Sequence, residues 1–123
     1  MSYHTLRVYQ AAEALRIEVD RLHEFLRPGF EAAFAHVDDA VDSIGFNIAE
    51  GGDSIYEGQR RKFFDIANGS TREARRGILS LKSRGAFGEA NVFRSVGLTI
   101  AIGKMLNSYI AVLPHTNTTP PKS

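Results

Sequence analysis

Residues 30–52 read FEAAFAHVDDAVDSIGFNIAEGG. Phe30, Phe34, Val37, Val41, Ile44 and Ile48 recur at steps of four, three, four, three and four. That rhythm is the seam of α-helices packing at a shallow angle. The spacing predicts a helix from Phe30 to Glu50, ended by Gly51-Gly52. The same rhythm extends outward in both directions. Upstream, Val8, Ala12, Leu15, Val19, Leu22 and Leu26 mark a helix from about Thr5 to Arg27, stopped by Pro28-Gly29. Downstream, Ser54-Ile55-Tyr56-Glu57 has the form of a capping box opening a third helix that runs to Arg84 and stops at Gly85. Its inner stripe reads Phe63, Ala67, Ser70, Ala74, Gly77 and Leu81, and keeps phase through Asn68-Gly69, which is also a turn signal. A fourth helix is predicted from Asn91 to Leu113, on Val92, Val96, Thr99, Gly103, Leu106, Ile110 and Leu113, closed by Pro114. Short connections make consecutive helices antiparallel. The expected fold is all-α: an up-down-up-down antiparallel four-helix bundle over residues 1–113, followed by a disordered Pro- and Thr-rich tail over 114–123.

The chain has 123 residues, one domain's worth. It has no cysteine, which removes disulfides, thiolate nucleophiles and Cys-based metal sites and fits a reducing cytoplasm. Fifteen Lys and Arg against fourteen Asp and Glu leave a net charge of +1, so no global field points to nucleic acid. The N-terminus lacks the basic and apolar regions of a signal peptide. The longest apolar stretch, 96–113, is broken by Thr99, Lys104, Asn107 and Ser108, so no membrane span is expected. His4, His23, His36 and His115 are scattered, and Asp20-x-x-His23 is a single carboxylate–histidine pair where a bundle metal site uses two. Gly97 to Met105 resembles a phosphate loop only superficially: its glycines are too far apart, Met105 stands where a hydroxyl is needed, and it lies mid-helix. No cofactor, metal, small-molecule substrate or catalytic triad is expected.

On the second helix, Ser43, Asn47 and Glu50 lie about 130° from the apolar stripe, with Phe46 beside them. Phe46 is either one exposed apolar residue among many or part of a subunit contact. On the third helix the small residues Ala67, Ser70, Ala74 and Gly77 permit close helix packing.

Ser43-Ile44-Gly45-Phe46-Asn47-Ile48-Ala49-Glu50-Gly51, followed after fourteen residues by Ile66-Ala67-Asn68-Gly69-Ser70-Thr71-Arg72-Glu73, resembles the "four helix bundle protein" family, also called 23S rRNA intervening-sequence proteins. The resemblance spans nearly the whole chain. It implies a closed four-helix bundle, no established enzymatic activity, and assembly of some members as ring-like homopentamers. Relatives include an accessory protein of diversity-generating retroelements that engages a reverse transcriptase and nucleic acid. The family's motif residues map onto Asn47, Glu50 and Gly51 and onto Gly69, Ser70 and Glu73. Read physically, Glu50-Gly51 supplies a turn at a helix end, Asn47 bonds backbone of a neighbouring helix or subunit, and Glu73 pairs with Arg76. One departure is informative. Asp38-Asp39 and Gly52-Asp53-Ser54 stand where relatives commonly carry basic residues, which argues against nucleic-acid binding on that face.

Charge is segregated along the chain. Residues 38–57 hold six acids and no base, and residues 60–84 hold eight bases and two acids. Three arrangements account for this: complementary flanks of adjacent helices, patches that meet across subunits in a head-to-tail ring, or a basic helix on phosphate backbone. Arg61, Arg72, Arg75 and Arg76 fall on the outer side of the third helix, without interleaved aromatic residues. The sequence points to a cytoplasmic, non-enzymatic, self-assembling interaction scaffold, pentameric by resemblance. The alternative is an RNA-binding accessory protein using those arginines. Ser43, Phe46, Asn47, Glu50, Gly51, Gly69, Ser70 and Glu73 are the candidate interface residues.

Overall fold

In a computed structural model, residues 6–88, 90 and 92–114 are described. They form α1 (Arg7–His23), α2 (Glu31–Asp53), α3 (Glu57–Ser83) and α4 (Phe93–Ala111), with no strand among the described residues. Chain neighbours pack side by side and α4 closes onto α1, while the backbones of the diagonal pairs stay apart across the shared core. The fold is the expected up-down-up-down four-helix bundle. The predicted starts at Thr5 and Asn91 and the tail beyond Pro114 lie outside the described residues.

The stripes on α1 and α2 meet at the axis. Leu15, Val19, Phe34, Ile44 and Ile48 are each 1% exposed or less. Burying such a side chain contributes roughly 1.5–3 kcal/mol. Leu26, assigned to the first stripe, lies past the end of α1 and is half-buried. Two registers need correction. On α3, Phe64 rather than Phe63 fills the core, and the buried series is Phe64, Ala67, Thr71, Ala74, Ile78 and Leu81, with Ser70 and Gly77 along its edge toward α2. On α4, Ser95 and Ile102 are buried and Val96 and Gly103 are not. The buried hydroxyls of Thr71, Ser95 and Thr99 donate to carbonyls three or four residues back at 2.6–2.7 Å, so they sit in the core without an orphaned proton.

The helix ends differ from the local signals. Gly51-Gly52 does not stop α2, which continues to Asp53. Ser54 does not cap α3: Tyr56 occupies that position without a side-chain cap, and the Ser54 hydroxyl lies 3.2 Å from Gln59 Oε1 instead. The C-terminal carbonyls of α2 are taken by Arg60, whose Nε donates to Gly51 O at 3.1 Å and Nη2 to Ser54 O at 2.7 Å. The end of α3 follows its glycine signal. Gly85 adopts a left-handed φ of 77°, its N–H reaches Lys82 O, and Ala86 N–H reaches Leu81 O, the paired bonds of a Schellman motif. Ala86 and Phe87 then turn into the core, and the Ala86 carbonyl accepts Arg27 N–H at 2.8 Å.

Candidate functional site

The two halves of the family motif meet between α2 and α3. Small side chains let these helices approach closely. A methyl group on Gly77 would lie 2.7 Å from Val37 Cγ2, and one on Gly51 would lie 2.6 and 2.7 Å from Phe64 Cε1 and Cδ1. Gly51 therefore serves a close approach and makes no turn, contrary to the sequence reading; its φ is not positive. Across this seam the Ser43 and Ser70 hydroxyls pair at 2.8 Å. Asn47 is buried and donates Nδ2 to the Ser43 carbonyl at 2.8 Å and to Ser43 Oγ at 3.1 Å. Asn47 thus bonds within its own helix rather than to a neighbour, and orients the serine that reaches α3.

The remaining motif residues have no such internal task. Glu50 and Glu73 are exposed, and neither makes a hydrogen bond or ion pair among the described residues. The expected Glu73–Arg76 pair does not form. A methyl group on Gly69 would meet nothing within 4 Å. Above the serine pair lies an open groove of about 450 Å³, with His36 and Asp39 on one wall and Glu73 and Arg76 on the other. Among the described residues no group of three His, Asp or Glu side chains is placed to hold a metal, and no helix is long and apolar enough to cross a membrane.

Phe46 is 63% exposed and lines the α1–α2 groove with Tyr9, Glu13 and Gly45, away from the serine pair. Beside it, Arg16 gathers the acids of this side. Its guanidinium meets Asp20 at 2.8 Å, Asp42 at 2.9 Å and also Asp38. Partial burial works to lower the Arg16 pKa, but the hydrogen bonds to Asp38 and Asp42 and the charge of Asp20 outweigh it and raise the value above that of a free arginine. Asp38 and Asp42 of α2 are thus met from α1, and among the described residues no ion pair joins α2 to α3, as the first arrangement, complementary flanks on those helices, would require.

The four basic candidates separate. Arg61 is not available to a partner: its Nη1 donates to Ile110 O at 3.0 Å and Leu113 O at 3.1 Å, closing the C-terminal end of α4. Arg72, Arg75 and Arg76 make no ion pair or hydrogen bond among the described residues. An aromatic does join the basic stripe, but from α4, where a search along one helix could not find it: Lys82 Nζ sits 5.0 Å from the Phe93 ring centroid. Sequence reasoning also missed Glu18. It is buried, with its carboxylate 2.8 Å from both Arg21 and Arg94, and so ties α1 to the start of α4. Its i,i+3 step to Arg21 was legible; its partner 76 positions away was not.

The charges divide by side. Six acids and no Lys or Arg lie on α2, and three of each sign on α1. Seven bases and three acids lie on α3, and two bases and no acid on α4.

Residues 4–108 match the family model described as 23S rRNA-intervening sequence protein. The chain belongs to that family. No curated protein matches it, and no solved structure does.

Proposed function

We propose that the protein is a non-enzymatic, self-assembling interaction scaffold of the cytoplasm, built as a homopentamer. The observation that carries this reading is the division of charge between two opposite sides of one bundle: acidic on α1 and α2, basic on α3 and α4. Opposite sides of opposite sign make copies complementary head to tail, and such heterologous contacts form a ring when the rotation from copy to copy closes. The count of five rests on the family resemblance. Multi-angle light scattering at tens of micromolar tests it, with a mass five times the 13.6 kDa chain expected. A monomer at that concentration removes the assembly.

The three unpaired arginines of α3 favour a second reading, an RNA-binding accessory protein. It expects an affinity for single-stranded RNA that falls steeply with salt as counterions are released. Undetectable binding at low salt ends it.

A further inference from the structure

The outer face between α3 and α4 is bracketed by two contacts, Asn68 Nδ2 to Asn107 Oδ1 at 2.9 Å at one end and Lys82 on Phe93 at the other. Asn68, Arg72, Arg75, Leu79 and Lys82 step by four, three, four and three, so they form one edge of α3 running between those brackets. On α4, Ile100 lies midway between Phe93 and Asn107, seven residues from each, with Lys104 one turn further on. Leu79 and Ile100 are 41% and 42% exposed, and no acid lies on the stripe. The face is an apolar centre with a basic rim.

Its counterpart is on the opposite side of the ring of helices, between α1 and α2. There a groove of about 240 Å³ runs beside Phe46, and Gly45 leaves open space beside it. Its rim carries Glu13, Asp20, Asp38 and Asp42, with Arg16 the one base among them. This face is an apolar centre with an acidic rim.

We infer that the α3–α4 face of one copy docks on the α1–α2 face of the next, with Phe46 seated against Leu79 and Ile100 and the arginines of α3 over the carboxylates of α2. This rests on the self-assembly proposed above and assigns its surfaces. Every copy carries one of each face, so the contact is heterologous and repeats until it closes. The apolar centre supplies most of the affinity, and the charged rims set orientation and encounter rate.

Because the chain has no cysteine, a thiol can be introduced singly. Phe46→Cys and Leu79→Cys chains are mixed and treated with a short bismaleimide. The expected product is a dimer holding one of each chain, with neither chain linking to itself, and the doubly substituted chain gives a ladder ending at the ring. Links between two Phe46→Cys chains, or between two Leu79→Cys chains, would show a two-fold contact and overturn the assignment. No link, in a wild-type protein that light scattering shows to be assembled, would overturn the faces and leave self-assembly standing. A monomeric wild type would overturn both. As a second measurement, Leu79→Glu raises the concentration for half-assembly at least about tenfold, as loss of an interface anchor does. Ile66→Glu, on the flank of α3 toward α2, leaves it unchanged; the reverse result overturns the assignment.

Discussion

The two motif glycines, Gly51 and Gly69, both inside helices, respond to alanine with opposite sign. In an exposed helix interior, replacing glycine by alanine stabilises by about 0.8–1.0 kcal/mol, because alanine loses less backbone freedom on folding. At Gly69 the added methyl meets nothing within 4 Å, so the gain is kept. At Gly51 it lands 2.6 Å from Phe64 Cε1, 2.7 Å from Cδ1 and 3.3 Å from the Arg60 carbonyl. The ring cannot step aside freely. Phe64 is 1% exposed and its centroid lies 5.8 Å from that of Tyr109. Overpacking of this kind costs about 1–3 kcal/mol. Set against the propensity gain, Gly51→Ala loses up to about 2 kcal/mol, and the two variants differ by about 1–3 kcal/mol. Urea unfolding at one fixed protein concentration measures this, and keeps any assembly contribution constant. Truncating the obstructing ring makes the pair diagnostic: in a Phe64→Leu background, Gly51→Ala loses most of its penalty. Should Gly51→Ala stabilise as much as Gly69→Ala, the close approach of α2 and α3 at Phe64 would be wrong, and with it the reason given for the E-G of the motif.

Ile44→Ala or Leu106→Ala, both at sites 0% exposed, costs about 2–5 kcal/mol by leaving a cavity, whereas Arg72→Ala, exposed and unpaired, costs under about 1 kcal/mol; equal thermal shifts would mean the helix faces are misassigned. Arg61→Ala frees the Ile110 and Leu113 carbonyls and costs about 1–2 kcal/mol, with amide exchange accelerating first in the last turn of α4; uniform exchange along the helix would refute the capping role. Ser43→Ala deprives both Ser70 and Asn47 of a partner and costs about 1 kcal/mol, more than Ser70→Ala, which leaves the Asn47 bond in place; the reverse order of melting temperatures would refute Ser43 as the link.

The helices and their order were legible because burial in a bundle writes a period into the chain, and on α1 and α2 the large aliphatic residues leave no choice of register. On α3 two stripes share Ala67, Ala74 and Leu81. One continues through Phe63, Ser70 and Gly77, the other through Phe64, Thr71 and Ile78. A core-facing helix buries an arc wider than a single stripe. The first series proved to be the flank toward α2 and the second the centre, and small residues carry too little volume to reveal which is which. The ends were harder to read. Gly51-Gly52 looks like a stop in sequence, yet Gly51 is a contact in space, because the ring it meets lies thirteen residues on. Arginine reach was least legible: Arg60 and Arg61 are neighbours in sequence yet close different helices, and no local spacing encodes that.

The charge pattern has a consequence for the isolated bundle. Arg72 stands three and four residues from Arg75 and Arg76, and like charges so placed destabilise a helix by about 0.2–0.5 kcal/mol per pair. No acid among the described residues relieves them. On α2, Asp38 and Asp42 are answered by one arginine, Arg16 of α1, while Asp39, Glu50 and Asp53 add charge of the same sign. Each side is therefore repelled within itself, although the whole chain sums to +1. Screening separates this internal repulsion from attraction between copies. Added salt relieves like-charge crowding inside a monomer and raises its stability, but weakens any contact between the acidic and basic sides. A protein whose ordered mass falls while the melting temperature of its dissociated form rises, over the same range of salt, carries its charge for a neighbour and not for its own fold.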